Sequence, residues 1–269
     1  MSDRRATRFL HCATRTLIVA LLLIGTARAG DVSDTIAHVK RSVVAVGTFE
    51  RDRTPAFQFR GTGFAVASGT TIVTNAHVLP GVLDPSHNEV LAILLPGARP
   101  ESAEVRTVRA VAVDAGSDLA LLKLEGNALP ALRLRDSETV KEGQEILMTG
   151  FPIGAVLGPF AATHRGMISA VTPIAIPQAR AANLNPALVR RLSSGPFLVF
   201  QLDATAYPGN SGSPIYDPAT GDVLGIVNMV FVKGTKEAAL SQPSGITYAV
   251  PANHLAALLK SAASEEAKK

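Results

Sequence analysis

Short apolar segments, each ended by turn-forming residues, follow one another through most of the 269-residue chain. Segments rich in Val, Ile and Phe and bounded by Gly, Pro, Asn or Asp are typical of β-strands. Their spacing predicts an all-β fold, an antiparallel barrel or sandwich. Helices are expected only near the two ends, over 31–41 and 252–262. The predicted strands cover 42–49, 58–67, 71–75, 90–95, 105–113, 119–124, 145–151, 162–171, 198–203, 223–230 and 246–250.

The first residues have the pattern of an export signal. Four arginines precede the apolar run 17–24. Ala27 and Ala29 then supply small residues at the two positions that a signal peptidase recognises. This order predicts a Sec-type signal peptide over 1–29, cleaved after Ala29. An uncleaved anchor is the alternative, but the apolar run is short for a membrane span of about 20 residues.

Removing this segment changes what charge and cysteine content imply. The chain has 26 basic and 22 acidic residues, and residues 1–29 hold five of the basic and one of the acidic ones. The remainder is therefore electrically balanced, which argues against a nucleic-acid or membrane-surface partner. The only cysteine, Cys12, also lies in the segment. Disulfides, zinc–thiolate sites and cysteine catalysis are thereby excluded, and we expect no metal and no cofactor.

A tight-turn sequence surrounds Ser211. Gly209 and Gly212 flank Asn210-Ser211, and a serine exposed on such a turn becomes nucleophilic when a nearby base takes its proton. The amides of Gly209 and Ser211 could then hold a developing oxyanion, with Asn210 bracing the turn. An ordinary hairpin turn is the alternative for this string taken alone. Ser213 is the rival nucleophile, although Pro214 follows it directly.

His77 and Asp118 complete a possible catalytic set. His77 follows the predicted strand 71–75, and small Ala76 leaves its ring uncrowded. Asp118 stands at the start of the apolar strand 119–124, where a half-buried carboxylate can accept an imidazole N–H. Asp114 is the competing carboxylate. The chain order His, Asp, Ser is the one found in the chymotrypsin architecture and differs from that of α/β hydrolases.

At these residues the chain resembles the trypsin-like serine proteases, and among them the HtrA/Deg type. The matching strings occur in family order across nearly all of the chain after the signal. They are Gly61-Thr62-Gly63-Phe64, Thr74-Asn75-Ala76-His77-Val78, Asp118-Leu119-Ala120-Leu121-Leu122-Lys123, Gly166-Met167-Ile168-Ser169-Ala170, Gly209-Asn210-Ser211-Gly212-Ser213-Pro214, Gly225-Ile226-Val227-Asn228 and Tyr248-Ala249-Val250-Pro251.

The resemblance implies two perpendicular six-stranded antiparallel β-barrels with the reactive groups in the cleft between them. We expect an N-terminal segment and first barrel over 30–135, a second barrel and C-terminal helix over 136–263, and a flexible tail over 264–269. Because 58 residues follow Ser211 in the sequence, we expect no PDZ domain, and this expectation departs from the pattern of the HtrA proteases. Surface loops are predicted over 177–196 and 232–244.

These features predict a periplasmic or secreted serine endopeptidase that cleaves extended or unfolded polypeptides. The resemblance assigns catalysis to His77, Asp118 and Ser211. By the same resemblance Thr205, Ala206 and Tyr207 line the pocket for the residue before the scissile bond. None of the three is acidic, so small or medium aliphatic residues are expected there.

Asn228, Met229 and Val230 are expected to pair with the extended substrate. The sequence is compatible with an oligomer. A peptide-binding or chaperone-like module without catalysis, and an esterase with the same triad, are the alternative functions.

Overall fold

The computed structural model of the protein describes residues 31–97, 102–158, 160–173, 198–228 and 245–267. The predicted signal segment and the predicted loops 177–196 and 232–244 lie outside these residues. Within the described part of the chain, no helix combines the length and apolar character that crossing a membrane requires.

The described residues form twelve strands and three α-helices. The helices are α1 (Val32–Lys40), α2 (Gly154–Leu157) and α3 (Ala252–Glu266). The strands are β1 (Val43–Phe49), β2 (Phe57–Val66), β3 (Thr71–Asn75), β4 (Val90–Leu95), β5 (Glu104–Asp114), β6 (Leu119–Leu124), β7 (Glu145–Gly150), β8 (Ala162–Pro173), β9 (Leu198–Asp203), β10 (Pro214–Tyr216), β11 (Val223–Val227) and β12 (Ile246–Pro251).

The strands close into two antiparallel barrels of six strands each. The first has the order β1-β2-β3-β6-β5-β4, and the second has the order β10-β11-β12-β9-β8-β7. The predicted fold of two six-stranded barrels is thereby confirmed. Several elements differ from the prediction: β10 was not predicted as a strand and α2 was not predicted as a helix, β11 ends at Val227 rather than at residue 230, and α3 continues to Glu266 rather than ending near residue 262.

The apolar strands are buried on both faces. In β1, Val44 and Val46 belong to a cluster inside the first barrel, whereas Val43 and Ala45 face a central cluster shared by both barrels. Alternate side chains of a strand point to opposite faces, so both sets must be apolar. This explains why β1 has a continuous apolar run. The central cluster comprises Val39, Val43, Ala45, Phe64, Val66, Val73, Leu119, Leu121, Leu132, Leu147, Phe151, Val199, Tyr216, Val223, Ile226, Val250 and Leu255.

Strand register brings the ends of β3 and β6 together. Asn75 at the end of β3 pairs with Leu119 at the start of β6. His77 lies two residues beyond Asn75, and Asp118 immediately precedes Leu119, so both emerge at the same edge of the first barrel. In the second barrel, Ser211 lies on the turn that leads into β10.

The segment between the barrels is paired with both of them. Leu132 forms a parallel bridge with Val66 of the first barrel, and Leu134 forms one with Val223 of the second. The Arg135 amide also donates a hydrogen bond to the Val223 carbonyl over 2.9 Å. The connector is therefore an ordered part of both barrel walls.

Candidate active site

Asp118 is held against the segment that carries His77. The Asp118 carbonyl accepts hydrogen bonds from the Ala76 amide and the Asn75 side chain, each over 3.0 Å. Its carboxylate Oδ1 accepts one from the His77 amide over 2.9 Å. Asp118 has φ of 56°, in the left-handed region that Asp adopts more readily than most residues. Backbone contacts therefore fix the carboxylate relative to His77.

A chain of hydrogen bonds joins the carboxylate, the imidazole and the hydroxyl. His77 Nδ1 lies 2.6 Å from Asp118 Oδ2, and His77 Nε2 lies 3.0 Å from Ser211 Oγ. A carboxylate only accepts, so Nδ1–H donates to Asp118 and Nε2 of the neutral ring accepts from the Ser211 hydroxyl. The His77 side chain is 32% exposed and that of Asp118 is 11% exposed. This arrangement suits removal of the Ser211 proton.

The turn before Ser211 leaves two amides without an acceptor in the described ranges of the chain. Among the described residues, neither the Gly209 N–H nor the Ser211 N–H donates a hydrogen bond. The Ile153 amide donates to the Pro208 carbonyl over 2.7 Å. Since the carbonyl and N–H of one peptide unit point in opposite directions, this bond directs the Gly209 N–H away from Ile153. An external oxyanion can therefore use both amides.

Only glycine fits at position 209. Its φ of 102° lies in the region that other residues rarely adopt. A Cβ built there would lie 2.4 Å from the Phe151 carbonyl oxygen and 2.9 Å from Cε1 of Phe59. Backbone conformation and close packing thus require the same residue.

Ser213 and Asp114, the alternatives to Ser211 and Asp118, are buried or hydrogen-bonded to other groups. Ser213 is fully buried, and its hydroxyl has no hydrogen-bond partner in the described part of the chain. The Asp114 carboxylate accepts from the Gly116 and Ser117 amides and from the Ser117 hydroxyl. It caps its own turn and is not bonded to His77. The geometry thus favours Ser211 and Asp118 over these alternatives.

The residues predicted to line the specificity pocket differ in their exposure. Thr205 and Tyr207 are half-buried, whereas Ala206 packs into the core of the second barrel. The Tyr207 ring lies 6.4 Å, centroid to centroid, from the ring of His164. Burial lowers the pKa of His164, so this imidazole is neutral at neutral pH. Tyr207 therefore has an uncharged neighbour here.

Asn228 has a contact that the sequence analysis did not anticipate. It is fully buried, and its side-chain amide donates to Asp118 Oδ2 over 2.8 Å. Its backbone N–H donates to the Tyr248 carbonyl over 2.8 Å. The side chain thus supports the Asp118 carboxylate, and pairing of the Asn228 backbone with a substrate stays a prediction. The other two residues predicted to pair with substrate, Met229 and Val230, lie outside the described residues.

Asn210 braces the turn through its backbone rather than its side chain. Its amide donates to the Tyr207 carbonyl over 2.9 Å, and its carbonyl accepts from the Ser213 amide over 3.0 Å. Neither polar atom of its buried side chain has a partner within the described residues. No cluster of three His, Cys, Asp or Glu side chains that could hold a metal ion occurs in that part of the chain either.

Comparisons with known proteins agree with this geometry. Residues 61–226 match the model of the trypsin-like peptidase domain. A probable periplasmic serine endoprotease DegP-like of Halomonas elongata is 32% identical over 71% of this chain and 32% of its own length. A protein of the same description from Pseudomonas savastanoi pv. phaseolicola is 29% identical over 76% of this chain and 35% of its own length. The chain thus spans about a third of the length of these curated relatives.

Solved structures show the same fold. The HtrA-type protease AlgW with tripeptide superposes with a TM-score of 0.59 at 23% identity, over 86% of this chain and 63% of that one. AlgW with decapeptide gives a TM-score of 0.61 at 21% identity, over 87% and 68%. Because the family match includes both His77 and Ser211 together with most of the two barrels, the chain belongs to the trypsin-like peptidase family.

Proposed function

We propose that the chain is a serine endopeptidase that acts on extended or unfolded polypeptides. The observation that carries this proposal is the hydrogen-bonded series Asp118–His77–Ser211 beside the amides of Gly209 and Ser211, which donate to no acceptor within the described part of the chain. These are the groups that acyl transfer from a peptide bond requires.

The reaction follows from the position of each group. His77 Nε2 takes the proton of the Ser211 hydroxyl while Oγ attacks the scissile carbonyl carbon, and the amides of Gly209 and Ser211 hold the resulting oxyanion. Asp118 keeps the imidazole in the required tautomer and stabilises its protonated form. His77 then donates the proton to the leaving amine. Water, activated by the same ring, hydrolyses the acyl-enzyme and restores Ser211.

Small or medium aliphatic residues are the proposed preference before the scissile bond. Thr205, Ala206 and Tyr207 provide no carboxylate to pair with Lys or Arg, and the adjacent His164 is neutral. Cleavage-site mapping by mass spectrometry on an unfolded protein should show Val, Ala or Leu before most cut bonds. A profile dominated by Arg or Lys would contradict this preference.

We also propose export to the periplasm or cell exterior, with residues 1–29 as a cleaved signal peptide. The relatives are described as probable periplasmic endoproteases, and residues 1–29 have the pattern of a signal peptide. The first barrel would then occupy 30–135, and the second barrel and the last helix would follow from residue 136. Edman sequencing of the exported protein should begin at Gly30.

Covalent labelling separates the proposed enzyme from a binding module. A fluorophosphonate probe should label the wild type and Ser213→Ala but not Ser211→Ala, because the Ser211 hydroxyl, and not that of Ser213, is hydrogen-bonded to His77. Loss of proteolysis of an unfolded protein in Ser211→Ala would accompany the loss of labelling. A folded wild type that is never labelled would contradict the enzymatic function. Hydrolysis of small esters alone would indicate an esterase.

A further inference from the structure

Thr62 in β2 reaches from the first barrel to the turn that carries Ser211 in the second. Its amide donates a hydrogen bond to the Ser211 carbonyl over 2.8 Å, and its hydroxyl donates one to the Gly209 carbonyl over 2.7 Å. Thr62 is fully buried. Thr62 takes no direct part in the proposed reaction.

The Thr62 hydroxyl also organises the atoms that pack against Gly209. It accepts a hydrogen bond from the Phe151 amide over 3.1 Å. The Phe151 carbonyl oxygen lies too close to the position of a Gly209 Cβ for any side chain to fit there. The Thr62 carbonyl in turn accepts from the Thr74 hydroxyl over 2.8 Å. A single buried hydroxyl thus links Phe151 to the Gly209 carbonyl.

Both peptide units that flank the Gly209 Cα are therefore restrained. The Ile153 amide holds the 208–209 unit through the Pro208 carbonyl, and the Thr62 hydroxyl holds the 209–210 unit through the Gly209 carbonyl. Glycine has the widest conformational freedom of any residue, so an unrestrained Gly209 could turn its N–H away from the oxyanion.

We propose that Thr62 is a positioning residue, whose hydroxyl keeps the Gly209 amide directed at the oxyanion. This inference rests on the proposed peptidase function. A substrate in its ground state gains little from the oxyanion donors, whereas the tetrahedral intermediate depends on them. Loss of the hydroxyl should consequently lower kcat rather than raise KM.

The test compares Thr62→Val with Thr62→Ser. Valine keeps the volume and the backbone amide but removes the hydroxyl, and serine keeps the hydroxyl. Peptide hydrolysis by Thr62→Val should have a kcat lower by about 10- to 100-fold with KM changed less than about 3-fold, since small misplacements of reacting groups have effects of this size. Thr62→Ser should retain a kcat within about 3-fold of the wild type.

A peptide aldehyde gives a readout that general loosening of the fold would not reproduce. It forms a hemiacetal with Ser211 and places an oxyanion beside the Gly209 amide. Its affinity should fall in Thr62→Val by about the same factor as kcat. The affinity of the corresponding peptide alcohol, which forms no hemiacetal and therefore no such oxyanion, should stay unchanged.

Thr48→Val is the matched control. Thr48 is another buried β-strand threonine of the first barrel, and its hydroxyl accepts a hydrogen bond from Arg53 over 3.1 Å, not from the Ser211 turn. The Thr48→Val substitution should leave kcat of peptide hydrolysis unchanged. Circular dichroism establishes that each variant is folded. If Thr62→Val does not fold, Thr62→Cys replaces it, since a thiol is only a weak donor.

The outcomes separate the two proposals. One outcome is that the fluorophosphonate labels the wild type while Thr62→Val has the same kcat and the same aldehyde affinity as the wild type. This result would overturn the role of Thr62 and leave the peptidase function intact. A higher KM with unchanged kcat would also overturn it. A folded wild type that the probe never labels would overturn the peptidase function and, with it, this inference.

Discussion

The Asp118 carboxylate accepts three hydrogen bonds, from the His77 amide, the His77 ring and the Asn228 side chain. All three donors approach a side chain that is largely shielded from water. The imidazole can therefore take only one tautomer, with its proton on Nδ1. This places the acceptor nitrogen, Nε2, at Ser211.

Asp118→Asn should lower kcat of peptide hydrolysis by about 10⁴-fold, because a carboxamide favours the opposite tautomer of His77. Steady-state kinetics on a fluorogenic peptide provide the measurement. Asp114→Asn is the control, since the Asp114 carboxylate bonds only to its own turn and should leave kcat near the wild-type value. Equal losses in the two variants would contradict the role given to Asp118.

Asn228→Ala distinguishes support of the carboxylate from substrate binding. A hydrogen bond to a charged group contributes about 1.5–3 kcal/mol, so removal of the amide should lower kcat by about 10-fold or more with little change in KM. Steady-state kinetics again measure both constants. A raised KM at unchanged kcat would instead indicate that Asn228 acts on the substrate.

The reactive residues could be predicted from the sequence because each stands in a short string with a chemical reason for its neighbours. The structure brings His77, Asp118 and Ser211 together, and their catalytic roles are proposals. Asn228 and Thr62 could not be assigned in this way. Asn228 contacts Asp118, which lies 110 positions away in the chain, and the local sequence around either residue does not indicate that contact.

At the level of elements, the predicted strands agree closely with the observed ones where apolar runs end at Gly, Pro or Asn. Strands β3, β4, β6 and β9 begin and end at the predicted residues. β10 was missed because its three residues directly follow the Ser211 turn and begin with proline. α3 runs past its predicted end because Ala263 and Ser264 continue the helix into the charged residues Glu265 and Glu266, for which a flexible tail is predicted.

An ion-pair network joins the loop after β1 to the segment before β4. The Arg53 guanidinium donates to Glu89 over 2.8 Å and to the Thr48 carbonyl over 3.0 Å, and Glu89 also accepts from the Asp84 amide. Hydrogen bonds from Thr48 and Arg53 lower the pKa of Glu89 from 4.5 to about 2. Folding therefore favours the ionised carboxylate.

Because the folded pKa lies below the unfolded one, the contribution of Glu89 to stability is complete above pH 4.5 and is lost as the pH falls towards 2. Urea unfolding at pH 6 and pH 3 should show a smaller loss of unfolding free energy for Glu89→Gln than for the wild type. Glu265→Gln, near the end of α3, controls for the loss of one negative charge. An identical pH dependence in wild type and Glu89→Gln would contradict the network's role.

For the whole molecule, composition and strand spacing predict an all-β fold but do not distinguish a barrel from a sandwich. The closure into two barrels came from the resemblance, because pairing order depends on contacts between distant strands. The central cluster joins the barrels through residues such as Phe64 from the first and Tyr216 from the second, both fully buried. We therefore expect the barrels to unfold together.

Phe64→Ala tests this coupling, because the chain has no tryptophan and its three tyrosines, at 207, 216 and 248, all belong to the second barrel. Truncating Phe64 in the first barrel should lower the unfolding free energy by about 3–5 kcal/mol. Tyrosine fluorescence and far-ultraviolet circular dichroism should show the same shifted transition. A tyrosine transition that stays in place while the dichroism transition shifts would mean that the barrels unfold independently.

The division of the reacting groups between barrels has a practical consequence. His77, Asp118 and Thr62 belong to one barrel, and Ser211 belongs to the other. A chain opened at the exposed turn 125–127 would yield two halves, each without hydrolytic chemistry of its own. Fused to two proteins that bind one another, such halves would regain peptide cleavage only on reassembly, which suits the molecule to a split-enzyme reporter of protein association.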